Sequence, residues 1–156
     1  MFSQDTFDMI RLLNKHHVDY MIVGGYAAIY HGYVRFTADI DFFYKSDEEN
    51  SIRLFQEFWE GAIPFIESYH ELTKKGRVLQ FGQPPNRLDF INEIDGVVFD
   101  DCTDTMCTEI IQCAKEELTI HFIGLDELIK NKKASGRPKD LIDADYLEKI
   151  KNSSTD

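Results

Sequence analysis

The chain has no long apolar run. Its longest, Tyr20 to Val23 and Phe42 to Tyr44, fall far short of the roughly 20 residues that a bilayer-spanning helix needs. The first residues, with Gln4, Asp5 and Asp8 close behind Met1, lack the basic and then apolar regions of a secretory signal. Cysteine is scarce and unpaired. Cys102, Cys107 and Cys113 form neither an even framework nor a C-x-x-C pair, which argues against a disulfide-stapled scaffold and for a reduced, cytoplasmic setting with no membrane partner. Excess positive charge is also missing. A net charge of −11 argues against a protein that coats nucleic acid through bulk electrostatics, because phosphate contacts dominate that affinity. There is no internal repeat, low-complexity tract or Pro/Gly/Ser linker. With 156 residues, 43% of them hydrophobic, the expectation is one domain over residues 1–150 and a flexible tail, "KNSSTD", over 151–156.

Against this acidic background one run stands out. "KNKKASGRPK", Lys130 to Lys139, holds five positive charges in ten residues and no negative one. A solvated helix end is the plain reading of such a run, and a polyanion-binding patch is the functional one.

The periodicities predict an opening helix from Gln4 to His16 on Phe7, Ile10, Leu12 and Leu13, then a strand from Val18 to Val23 that Gly24-Gly25 ends. "YAAIYHG" reads as a helix stopping at Gly32. Thr37 to Tyr44 reads as a strand. Ser46-x-x-Glu49 reads as a capping box opening an amphipathic helix that Gly61 ends. Arg77 to Gly82 and Arg87 to Ile94 read as strands around "GQPPN". "TEIIQC" and "LTIHFI" suggest a hairpin, with a helix as the alternative for its first half. Asp126 is expected to cap a helix to Ser135, ended by Gly136, and Pro138 to begin the last helix. This order implies an α/β or α+β domain whose mixed sheet is covered mainly on one side.

Asp39 and Asp41 sit inside an apolar strand, where unpaired carboxylates cost folding free energy. Residues two apart share a strand face, roughly 6.5–7 Å apart along the backbone. The two aspartates therefore project together, with Ala38, Ile40 and Phe42 on the other side. Asp89 in "RLDFINEI" offers a third carboxylate, with Leu88, Phe90 and Ile94 opposite it. If the strands are neighbours, three carboxylates converge, an oxygen-only set suited to a hard divalent cation such as Mg²⁺. The plain alternative is a solvent-facing strand surface. A strand that ends in Gly-Gly and runs straight into a helix adds a phosphate cradle of free backbone N–H groups.

Gly24-Gly25, the later Asp39-Ile-Asp41 and a downstream strand Asp89 resemble the nucleotidyltransferase superfamily that includes DNA polymerase beta. Within it the chain looks most like the small bacterial nucleotidyltransferases related to the AbiEii toxins. The resemblance rests on "RFTADID" (Arg35 to Asp41) and "LIKNKKASGRPKDLIDADYL" (Leu128 to Leu147). It spans Val23 to Leu147, though Gly61 to Gly82 match nothing. It implies a minimal fold of mixed sheet flanked by helices, with further C-terminal helices. It also implies transfer of a nucleoside monophosphate from a triphosphate, ATP by default, to an acceptor hydroxyl on tRNA, protein or a small molecule. Two Mg²⁺ ions would be held by Asp39, Asp41 and Asp89, with Asp89 orienting the acceptor. Gly24 and Gly25 would admit the triphosphate, and Arg35, Thr37, Lys132 and Lys139 would meet its charge. A homodimer or a partner protein would complete so short a chain. A catalytically quiet nucleotide-binding or toxin–antitoxin partner is the second reading, and a plain structural domain the third.

The other candidates read as structural. His16-His17 face apart on a helix, His121 reads as a half-buried strand histidine, and Asp100-Asp101-x-x-Asp104 reads as a turn. Cys107 and Cys113 read as small hydrophobes. Phe36, Phe42, Phe43, Tyr44, Tyr69, Tyr26 and Tyr30 are core aromatics first and base-stacking candidates second.

Overall fold

In a computed structural model, residues 2–60 and 66–154 are described, without the side chains of residues 59 and 60. Burial of the central strands on both faces decides the layering. The elements are α1 (Gln4–Lys15), β1 (Tyr20–Val23), α2 (Gly24–Tyr30), β2 (Asp39–Tyr44), α3 (Glu48–Glu60), α4 (His70–Thr73), β3 (Val78–Phe81), β4 (Arg87–Ile91), α5 (Phe99–Cys102), β5 (Cys107–Cys113), β6 (Glu116–Phe122), α6 (Leu125–Ser135) and α7 (Pro138–Ser154). The strands form one mixed sheet in the order β3-β4-β2-β1-β6-β5. β1 runs antiparallel to β2, β2 parallel to β4, and β1 parallel to β6. This is an α+β architecture with its last helices at the C-terminal end.

Helices cover both faces of the sheet centre, not mainly one as the sequence suggested. Tyr20, Ile22, Ile40, Phe42, Tyr44, Leu88 and Phe90 pack with α1 and α3 in one cluster, which includes Ile10, Leu13, Leu54 and Phe58. Met21, Val23 and Phe43 point the other way, into a second cluster with Ala27 and Ala28 of α2, Phe99, Leu128, Ile129 and Leu147. β1 is accordingly buried at all four positions. Phe42 lies between Tyr20 and Phe90, with ring centroids 5.7 and 4.9 Å away. Truncating so enclosed a ring to alanine costs about 3–5 kcal/mol.

Several boundaries differ from the sequence reading, each for a local reason. α2 begins at Gly24 itself, with Val23 as its cap residue. The cap of α3 is Asp47, whose Oδ1 accepts the Asn50 N–H at 2.9 Å, and not Ser46. The Asn50 side chain is used in turn to tie β1 to the end of β2, bonding Asp19 and the Lys45 carbonyl. α6 is capped by Gly124, which leaves Asp126 in its first turn. Gly136 does end α6, at φ +68° with its N–H on the Lys132 carbonyl at 3.2 Å. Ile94 packs in the second cluster, beyond the end of β4 and not opposite Asp89. Asp100 and Asp101 belong to the short helix α5. α7 continues to Ser154 through most of the expected tail. Gly61 lies outside the described residues.

Candidate metal and phosphate site

The register of β2 and β4 decides where the carboxylates go. Parallel pairing sets Asp41 beside Asp89 and Asp39 beside Arg87. All three aspartates then share the sheet face opposite Ile40 and Phe42. One carboxylate oxygen from each lies within 4.8 Å of the others. Asp89 is buried, and Asp39 and Asp41 are half-buried.

Sequence reasoning missed the cation already among them. Arg87 Nε donates to Asp89 Oδ1 at 2.9 Å, and its Nη2 donates to Asp89 Oδ2 at 3.0 Å and Asp39 Oδ2 at 2.8 Å. The signal was present as R-x-D, two residues apart in one strand and so on one face. Compensation is uneven as a result. Burial raises the Asp89 carboxyl, but Arg87 opposes the shift. Asp41 has no such guanidinium. Burial, then the Asp39 and Asp89 charges, push it up to about 7, with Lys132 pulling only partly back.

An all-oxygen donor set with one under-compensated member fits a hard divalent cation. The backbone in front of Asp41 is shaped to match. A Cβ on Gly24 would lie 2.2 Å from Asp41 Oδ2, and Gly24 has φ +68°. A Cβ on Gly25 would meet Thr37 Oγ1 at 2.6 Å. Thr37 donates to the Asp39 carbonyl at 3.1 Å, holding the entry to β2 against this glycine pair. No side chain caps the start of α2.

Further cations reach the cavity from the segment after α2, from α6 and from the residues joining α6 to α7. Lys132 is buried, with Nζ 2.9 Å from Asp143 Oδ2 and 3.5 Å from Asp140 Oδ1. Arg35 Nη2 donates to the same Asp143 oxygen at 2.9 Å, and Arg137 Nε to Asp140 Oδ2 at 2.6 Å. Sequence reading overlooked Asp140 and Asp143 as counter-ions. Their three-residue spacing at the start of α7 puts both on the face toward α6. The basic run from Lys130 to Lys139 is not one patch. Lys132, Arg137 and Lys139 line the cavity, whereas Lys133 is exposed and pairs with Glu148.

Every site residue singled out from the sequence, from Gly24 to Lys139, lines one cavity of about 680 Å³. Phe36, 77% exposed, is the aromatic on its wall. Phe42, Phe43 and Tyr44 are core, and Tyr26 and Tyr30 pack against the first cluster. Tyr69 Oη donates to Glu48 Oε1. His121 is half-buried and bonds Thr108 Oγ1 at 2.9 Å. Among the described residues no helix is long and apolar enough to cross a membrane. In comparisons with known proteins, the chain matches no protein-family model and no curated protein.

Proposed function

We propose that the protein is a Mg²⁺-dependent nucleotidyltransferase, moving a nucleoside monophosphate from a triphosphate to an acceptor hydroxyl. One observation carries this reading. The acidic triad and the glycine pair meet in a single cavity of nucleotide size that buried and exposed cations also line. Asp39, Asp41 and Asp89 would hold the divalent ions, two by the resemblance noted from the sequence. Bound there, the ions supply charge neutralisation at the phosphoryl oxygens and activation of the attacking oxygen.

The chain's own residues do the rest. Gly24 and Gly25 let a phosphate approach the backbone beside Asp41. Lys132 and Arg35 are held by Asp143, and Arg137 by Asp140, so their positive charges are positioned before substrate arrives. Lys139, exposed at the rim, meets the outer phosphates. Asp89, on the neighbouring strand β4, orients the acceptor hydroxyl. ATP is the default donor, and a tRNA end, a protein side chain or a small molecule is the acceptor. The three free cysteines suit a cytoplasmic setting.

Arg87 favours a second reading. It already neutralises Asp39 and Asp89, as a nucleotide-binding or toxin–antitoxin partner without turnover would require. One experiment separates the two. α-Labelled ATP, Mg²⁺ and pools of tRNA, protein and small-molecule acceptors are incubated with wild type and with Asp41→Asn. Label transfer by wild type alone supports the enzyme. Mg²⁺–ATP binding with no transfer to any pool supports the binding protein, and equal transfer by both proteins refutes the assigned site.

A further inference from the structure

The two edges of the sheet are treated differently. β3 spans four residues, Val78–Phe81, and a short edge strand offers little to a second chain. β5 spans seven, Cys107–Cys113, and is exposed or half-buried throughout. Its sequence, "CTEIIQC", contains no lysine or proline to discourage pairing. Its one charge, Glu109, accepts a hydrogen bond from Tyr30 Oη of its own chain. Ile110, at the strand centre, is 64% exposed.

The hairpin determines which backbone groups point outward. β5 and β6 are joined by the two-residue loop Ala114-Lys115, so Cys113 and Glu116 form a hydrogen-bonded pair. Alternation then turns the N–H and C=O groups of Cys107, Glu109, Ile111 and Cys113 toward β6. Those of Thr108, Ile110 and Gln112 face away from the sheet. These outward groups lie symmetrically about Ile110.

We infer that β5 pairs antiparallel with β5 of a second copy of the chain, about a two-fold axis at Ile110, joining two sheets into one. The sequence is complementary to itself in this register. Thr108 faces the partner's Gln112, and Ile110 faces the partner's Ile110. Glu109 faces the partner's Ile111, so no like charges meet. About six main-chain hydrogen bonds form, two in each of three pairs. Cys107 faces the partner's Cys113, on the same sheet face and in a pair not bridged by main-chain hydrogen bonds. Opposed Cα atoms there are about 4.5 Å apart, within reach of a disulfide. A single strand edge buries little area, so the dimer is a weak one. This interface lies on the far side of β6 and β1 from the acidic triad and is independent of the proposed activity.

The cysteine pair gives the test a register-specific readout. Diamide accepts the two electrons and two protons released when two thiols join as a disulfide. Treated with diamide, wild type is expected to yield a covalent dimer on non-reducing gels. Cys107→Ser alone and Cys113→Ser alone are expected to yield none, while a mixture of the two variants cross-links, because each supplies the thiol the other lacks. In sedimentation of the unoxidised protein, Ile110→Arg, which sets two guanidinium groups against each other, is expected to shift dimer to monomer. Cross-linking by either single variant alone overturns the register. Wild type that sediments only as monomer at high concentration overturns the interface.

Discussion

Asp41→Asn isolates the least compensated charge of the acidic triad. Asp39 and Asp89 share Arg87, whereas Asp41 relies on Lys132, which is itself engaged by Asp140 and Asp143. Raising the Asp41 carboxyl from its ordinary 3.8 to about 7 corresponds to a ceiling of about 4 kcal/mol above neutral pH, at about 1.4 kcal/mol per pH unit. Asp41 retains some contact with an open cavity, and water screening there lowers the expected cost to about 1–2 kcal/mol. The sign follows from proton uptake. Between pH 3.8 and about 7 the folded carboxyl holds a proton that the unfolded one has lost, so stability falls as pH rises through this window. Asparagine has no such dependence. The metal-free variant should therefore match wild type near pH 4 and exceed it at pH 8, with the melting temperature rising about 2–4 °C for each kcal/mol. Adding Mg²⁺ with ATP should raise the wild-type melting temperature by mass action and the variant's much less. Thermal melts across pH, with chelator and with Mg²⁺–ATP, measure both effects. A variant that is less stable at pH 8 and gains as much from Mg²⁺–ATP would make Asp41 a structural residue and sink the metal-site argument.

Three further outcomes are expected. Gly24→Ala forces a Cβ against Asp41 Oδ2 at a backbone of φ +68°. It should cost about 1–3 kcal/mol in chemical denaturation and abolish Mg²⁺–ATP binding in calorimetry, and unchanged binding would exclude the glycine from the site. Lys132→Ala leaves Asp140 and Asp143 buried with less compensation, so it should lower stability by about 3 kcal/mol. Titrations should show greater weakening for ATP than for AMP, and equal losses would remove Lys132 from triphosphate binding. Any RNA complex should run through Lys139 and Arg137 and weaken steeply with added salt, and a binding isotherm insensitive to salt would contradict that route.

The triad was legible because strand periodicity is rigid. Asp39-x-Asp41 can only share a face, and the apolar partners Ile40, Phe42, Leu88 and Phe90 leave that face one orientation. The glycine pair was legible as the end of a strand running straight into a helix, and in the structure Gly24, at φ +68° against the Asp41 carboxylate, has no room for a Cβ. Arg87 and the α7 carboxylates were harder to read. The Arg87–Asp89 pair is local, but the bond from Arg87 to Asp39 depends on β4 lying beside β2. The α7 carboxylates depend on how α7 docks on α6. Neither arrangement is encoded in a local window. Coverage of both sheet faces was missed because Met21, Val23 and Phe43 look like an ordinary continuation of an apolar strand until a second layer of helices is known. Lys132 was expected to meet triphosphate charge, but its burial was not foreseen. Only docking of α7 turns it into a buried cation.

That docking has a consequence for how the site fails. Arg35 follows α2, Lys132 lies in α6, and Asp143, which holds both, lies in α7. An excursion that lifts α7 removes the shared anchor from both cations at once and opens the second apolar cluster at Leu147. Loss of the preset positive charge on the cavity wall is thus the same event as partial unfolding. Amide exchange along α7 and occupancy of the cavity should follow one free energy. Under mild denaturant, the cavity should lose its anchored cations while the α1–α3 face of the sheet is still folded.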